Sequence, residues 1–167
     1  MCSSDLVPCA LGRLLVAATP RGICRVSLGS GADDLEAGLA AEFPAAQLRR
    51  DRGALAATVA ALLRYLDGRA EPLDLPLDVR ATAFQRRVWE ALRRIPYGTT
   101  RSYTDIARAI GKPFATRAVA RACATNPAAL VIPCHRVVRA DGGLGGYRWG
   151  VARKRALLEQ ERAGTVK

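Results

Sequence analysis

One stretch of the 167-residue chain, LVIPCHRVVRADGG at 130–143, places the only histidine, His135, directly beside a cysteine, Cys134. A thiol next to an imidazole offers nucleophilic chemistry: the thiolate attacks an electrophilic carbon and the imidazole takes up the thiol proton. Two other readings stand beside this one. An unpaired cysteine is most often a small buried hydrophobe, and the apolar approach Ala129-Leu130-Val131-Ile132 suits that. Zinc binding fails on spacing, because Cys123, Cys134 and His135 form no C-x-x-C or H-x-x-x-H pattern and there is no second histidine. No metal is therefore expected. Neighbouring side chains on an extended segment point opposite ways, so a bridging water between thiol and imidazole is expected rather than direct contact. The nucleophile must also be a thiolate, whose ordinary pKa of about 8.5 has to fall beside a base or in a positive field.

The elements that hold this pair are bounded by composition. Half the residues are hydrophobic, enough for a sizeable core in one ordinary domain or a small domain plus a larger one. Five cysteines make no even framework, and the opening MCSSDLVPCA lacks the basic and apolar regions of a signal peptide. No apolar run approaches the roughly 18 residues of a membrane span. These features predict a soluble, reducing, cytoplasmic protein without a membrane partner. Charge is unevenly placed: residues 80–155 carry 16 arginines and lysines against Glu90, Asp105 and Asp141, a net of +13, whereas residues 1–79 carry 8 against 10. A basic surplus confined to half a chain is the footprint of a polyanion binder, although a solvated basic face has the same composition.

Along the first half, GRLLVAA and ICRVSL flank the turn signal Thr19-Pro20-Arg21-Gly22 and predict a hairpin. Asp33 and Glu36 have capping-box spacing ahead of a helix with Leu35, Leu39 and Phe43 on one face. A second helix carries Leu55, Val59, Leu62, Leu63 and Leu66, and LDLPLDV alternates as a half-buried edge strand. From Thr82 the pattern is helical. Thr82 and Gln85 form a capping box before the stripe Phe84, Val88, Leu92 and Ile95; Ser102 caps a short helix stopped by Gly111 and Pro113; TRAVARACA then runs to Asn126. Two short helices around a glycine-containing turn outline a helix-turn-helix, and the second presents Arg117 and Arg121 at i, i+4 among small alanines. Many helical corners share that outline, and small residues also serve tight packing.

IPCHRVV followed by GGYRWG resembles the O6-alkylguanine-DNA alkyltransferases, the methylated-DNA–protein-cysteine methyltransferases, over nearly the whole chain. Within that family LGRLLVAATPRGIC, LPLDVRATAFQRRVWEALRRIPYGTTRSYTDIARAIGKP and CHRVVRADGGLGGYRWGVARK most resemble the C-terminal half of the bacterial adaptive-response regulators. The resemblance implies an α/β fold: a small RNase-H-like α/β region over 1–80, then a helical DNA-binding and alkyl-transfer domain with a helix-turn-helix over 81–167. It implies Cys134 as alkyl acceptor, His135 as water-assisted base, Glu161 on the far nitrogen of the imidazole, and Asn126 as the residue tying the preceding turn. Arg117 corresponds to the arginine that enters the base stack, with Arg121 beside it on the DNA face, and Tyr103 to the tyrosine that crowds the target phosphate. Val137 would offer its carbonyl to the base, and Tyr147 and Arg148 would line the pocket, the Arg148 backbone N–H facing O6.

The implied reaction is a single irreversible transfer from O6-alkylguanine, less readily O4-alkylthymine, in double-stranded DNA, with base flipping, no cofactor, and a monomeric protein. Phe114 stands where relatives often carry a charge, and the regulators' cysteine-rich module has no counterpart in this sequence. Cys2, Cys9, Cys24 and Cys123 read as packing or incidental thiols outside the pocket. A non-catalytic DNA-binding module is the rival account. It has no use for a thiol beside the lone histidine.

Overall fold

The computed structural model describes residues 2–165. The chain forms two compact units, one of residues 1–79 with 127–131 and the other of 80–126 with 132–167. In the first, β1 (Cys2–Cys9), β2 (Gly12–Thr19) and β3 (Gly22–Gly29) precede α1 (Ala32–Glu42), β4 (Leu48–Arg50) and α2 (Arg52–Leu66). The sheet order is β3-β2-β1-β4, antiparallel except for the β1–β4 pair, which is parallel because α1 carries the chain back across. Leu14, Leu15, Val16 and Ala17 of β2 are all buried, as in a strand covered on both faces. The α1 face packs Leu35, Leu39 and Phe43 onto Cys2, Leu15, Ala17 and Cys24.

Two expectations change here, and one strand was not foreseen. Asp33 and Glu36 form no capping box: Gly31 occupies the N-cap without a side-chain bond, and Glu36 pairs with Arg50. LDLPLDV is not a strand beyond one bridge, in which Ile23 N–H donates to Pro76 O at 2.8 Å and Asp78 N–H to Ile23 O at 2.7 Å. Pro72 and Pro76 lack the N–H groups that a longer ladder needs. The strand β1 has no counterpart in the sequence pattern, since CSSDLVPC has neither clean alternation nor freedom from proline.

The second unit holds α3 (Ala83–Arg93), β5 (Arg101–Ser102), α4 (Tyr103–Ala109), α5 (Thr116–Ala124), a single 3₁₀ turn at Cys134–Arg136, β6 (Val137–Val138) and α6 (Val151–Thr165). Both expected caps are present, with Thr82 and Gln85, then Ser102 and Asp105, exchanging side-chain bonds with backbone N–H groups. Val88, Trp89 and Leu92 of α3, Ile106 of α4 and Val119 of α5 are buried where these three helices meet. Trp89 Nε1 donates to Ala122 O at 2.9 Å, fixing α3 to α5. The α4–α5 turn passes through Gly111, at φ 76°. A two-residue parallel bridge ties 101–102 to 137–138, immediately after the Cys134 turn.

The Thr82 cap anchors this assembly from its first residue. Thr82→Ala is expected to lower unfolding free energy by about 1 kcal/mol, measured by urea denaturation; an unchanged midpoint would remove the cap from the account.

Candidate active site

Cys134 lies at the start of the 3₁₀ turn rather than on an extended strand, and successive side chains there diverge by about 120°. The divergence expected between Cys134 and His135 therefore survives a different local structure. Cys134 is buried and His135 fully so. Asn126, also fully buried, donates through Nδ2 to Ile132 O at 2.8 Å and to Cys134 Sγ at 3.1 Å. One amide thus fixes both the approach to the turn and the sulfur.

Behind the histidine sits Glu161 of α6. His135 Nε2 and Glu161 Oε2 are 2.6 Å apart; Arg136 donates through Nε to Oε1 at 2.8 Å and through Nη2 to Oε2 at 3.0 Å; Gly98 N–H adds a bond to Oε1 at 3.1 Å. The carboxylate is thus held in a fork by Arg136, whose Nη1 also reaches Ile95 O at 2.8 Å. Burial lowers the His135 pKa below its ordinary 6.5 despite the opposing pull of Glu161. The imidazole rests neutral.

Burial also corrects the expectation of a low-pKa thiol. Desolvation pushes Cys134 up to about 11, against the lowering effects of the Asn126 hydrogen bond, Lys154 and Arg148. Both shifts favour a neutral thiol beside a neutral imidazole.

A cavity of about 290 Å³ opens over the sulfur, lined by Tyr103, Ala120, Cys123, Ala124, Tyr147 and Arg148 among others. The structure thereby brings Tyr103, Tyr147 and Arg148 together around Cys134. Tyr103 is pushed up to about 12 by burial, and its hydroxyl sits against Gly145, at φ 72°, where an added Cβ would lie 2.7 Å from Oη. Tyr147 meets the His135 ring edge-on at 6.5 Å, and Arg148 Nη1 donates to Asn126 O at 2.7 Å. Arg117 and Arg121 are exposed outside the cavity lining. They share about 100° of α5 with the lining residues Ala120 and Ala124. Fully exposed Phe114 precedes that helix.

Cys123 lies inside this cavity, contrary to its expected place outside the pocket. Burial and the neighbouring Cys134 push its thiol up to about 12.

The residue that sequence reasoning missed is Lys154, whose side chain is fully buried. Its Nζ donates to Val137 O at 2.6 Å and Gly146 O at 3.1 Å and lies 5.7 Å from the Tyr103 ring centre. It therefore occupies one lone pair of the Val137 carbonyl that was expected to receive a base, leaving the other. No carboxylate is within ion-pair distance of Lys154 among the described residues. A charged Lys154 and a Cys134 thiolate each favour the charged form of the other. A signal existed: Lys154, Leu157, Leu158 and Glu161 fall at i, i+3, i+4, i+7, an apolar pair flanked by charges on one buried face.

A buried thiol held by an amide and backed by an imidazole–carboxylate pair, on a helical unit with a separate sheet unit, defines a class that comparison with known proteins specifies. Residues 83–163 match the DNA-binding domain of 6-O-methylguanine DNA methyltransferase, and residues 4–79 its ribonuclease-like domain. The chain is 53% identical over 156 residues to the bifunctional transcriptional activator/DNA repair enzyme Ada of Escherichia coli, covering 93% of this chain and 44% of that protein. It is 52% identical over 113 residues to the methylated-DNA–protein-cysteine methyltransferase of Mycobacterium bovis, 68% of each. The crystal structure of Mycobacterium tuberculosis O6-methylguanine methyltransferase superposes with a TM-score of 0.82 at 38% identity, over 98% of this chain and 94% of that one. The chain belongs to the O6-alkylguanine-DNA alkyltransferase family. It spans less than half the length of the Ada-type regulators it matches.

Two outcomes follow from the geometry. His135 resists protonation in the fold, so its contribution is complete above pH 6.5 and is lost as pH falls below that value. Cys134 resists ionisation, so its contribution is complete below pH 9.0 and is lost as pH rises toward 11. Urea midpoints from pH 5 to 10.5 should pass through a maximum between 6.5 and 9.0; a midpoint rising from pH 7 down to 5 overturns the neutral pair. Lys154→Met, similar in length but without donors, should raise the pH at which Cys134 reacts with iodoacetamide. An unshifted profile would reduce Lys154 to packing.

Proposed function

We propose that this protein repairs DNA by direct reversal, moving the alkyl group of O6-alkylguanine, and less readily O4-alkylthymine, onto Cys134. The observation that carries this reading is the sulfur at the base of a small cavity, with Asn126 Nδ2 on it and the Glu161-anchored His135 beside it. At about 290 Å³ the cavity lies just below the usual range for ligand sites, about 300–1,000 Å³, in keeping with a ligand as small as one base. The lesion lies within a duplex, so the base must be extruded, at a cost of a few kcal/mol offset by the pocket and a wedge. Arg117, exposed beside the cavity-lining face of α5, is the wedge, and Arg121 holds phosphate. The α4–α5 pair acts as a helix-turn-helix against DNA, in keeping with the mycobacterial relative solved in complex with DNA.

Sγ attacks the alkyl carbon in line as the carbon–O6 bond breaks, and guanine leaves with the bonding pair on O6. The thiol proton passes through water to His135 Nδ1, with Glu161 stabilising the imidazolium that forms. The Arg148 backbone N–H receives the charge on O6, Tyr103 crowds the target phosphate and donates to the base, and Tyr147 lines the pocket. The free lone pair of the Val137 carbonyl accepts the exocyclic amine, and Lys154 keeps that carbonyl in place. The thioether product has no carbonyl for water to attack. Each molecule therefore acts once, as a monomer in the cytoplasm without a cofactor. Residues 81–167 carry DNA binding and transfer, and the RNase-H-like region covers 1–80.

Mixed with excess O6-methylguanine duplex, the protein should gain one methyl mass on the peptide containing Cys134, and Cys134→Ser should bind DNA without transfer. Cys123 shares the cavity but lacks the Asn126 bond, and should stay unmodified. Methyl on Cys123, repeated turnover, or wild-type binding without transfer would each remove this reading.

A further inference from the structure

A second concavity lies on the helical unit away from the thiol. It is a groove of about 790 Å³ between α3 and α4, and it shares no lining residue with the cavity over Cys134. Four arginines line it: Arg87 of α3, Arg94 at the cap just past its C-terminus, Arg101 from β5, and Arg108 from α4. All four are exposed, and none has a carboxylate within ion-pair distance among the described residues. Two are oriented by backbone carbonyls, Arg87 through Nη2 to Ile110 O at 2.7 Å and Arg101 through Nη1 to Thr100 O at 2.9 Å, and each guanidinium carries further donors. The groove also holds two acids, Glu90 and Asp105, so the local balance is positive by two. Asp105 is already committed to the Ser102 backbone N–H at 2.9 Å, at the α4 cap.

We infer that this groove is a second DNA-contacting surface, taking backbone phosphates of duplex beyond the segment that α5 engages. Seven residues separate Arg87 from Arg94, about 10 Å along the helix, comparable to three axial rises of about 3.4 Å in a duplex lying along it. A linear polyanion fits this spacing, and guanidinium forks pair with phosphate bidentately. The residues of α4 divide accordingly: Tyr103 faces the thiol cavity, while Asp105 and Arg108 face the groove. Duplex held on both surfaces is gripped over more length than a single lesion needs. The inference rests on the DNA-binding part of the proposed function, not on alkyl transfer.

The test is the triple variant Arg94→Gln/Arg101→Gln/Arg108→Gln, which spares the Arg87 bond to the fold. Affinity is measured against salt for duplexes of one and three helical turns, about 10 and 30 base pairs. Removing one arginine–phosphate pair lowers the log–log salt slope by about 0.9, so the longer duplex should show a drop of about 2 to 3 and the shorter one no change. Glu90→Gln should move affinity for the longer duplex the other way, giving a reading even if the triple variant unfolds. An unchanged slope on the longer duplex, or an equal drop on both lengths, overturns the second surface. Methyl transfer to Cys134 by the wild type, followed on the same duplex, separates the two ideas. Its absence would sink the repair reading, while a lowered slope would still uphold the groove.

Discussion

The site depends on one buried carboxylate. Glu161 is almost wholly removed from water, yet it receives Arg136 in a two-pronged pair, the Gly98 N–H and the His135 ring. A carboxylate in such a place is tolerable only when charge and lone pairs are both met, and removing one partner of a buried pair commonly costs about 3–5 kcal/mol. Arg136 supplies the compensating charge. It also opposes protonation of the histidine, and with burial it outweighs the pull of Glu161. The carboxylate thus orients the imidazole without charging it, and the Gly98 bond ties the end of the α3 region to α6 at the same point.

The same balance explains the resting thiol. Cys134 has a cation, an amide donor and a base near it, the ingredients of a reactive thiolate, yet desolvation outweighs them. Positive groups were expected to decide the matter because a sequence reports which charges are present. It does not report how much water they lose. Lys154 is the other half of that account: a fully buried ammonium, bonded to two carbonyls, whose own pKa is lowered by the burial that raises the thiol's. Cation and thiol both sit at a cost that formation of the thiolate would partly relieve.

Legibility divides along similar lines. The helices of the second unit were readable because their signals are local: Thr82 with Gln85 and Ser102 with Asp105 cap as the spacing demands. The Asp33–Glu36 spacing looks identical but lies inside a helix begun by Gly31. Two prolines turned an alternating segment into a single bridge, and β1 is a strand because β2 and β4 flank it, not because CSSDLVPC favours one. At the site, the thiol, histidine and asparagine were found through a motif. Lys154 was hidden among Arg153 and Arg155, which read as a solvated basic run until α6 turned one of the three inward. Cys123 entered the cavity for a similar reason, since small neighbours on α5 let a buried thiol reach its wall.

A high resting pKa suits a protein proposed to act once. An exposed thiolate meets oxidants and stray electrophiles continuously, and its oxidation follows thiolate character and access. A chain whose sulfur is consumed by one event cannot recover from a wrong event. In the proposed reaction the proton stays on sulfur until a substrate fills the cavity and presents a carbon in line with it, and Lys154 and His135 then join Asn126, which already holds the sulfur, in acting on the same charge. The desolvation that slows the free protein strengthens those interactions once water is excluded. On the proposed reaction, selectivity for the right electrophile and restraint toward the wrong one share a single cause, the burial of Cys134.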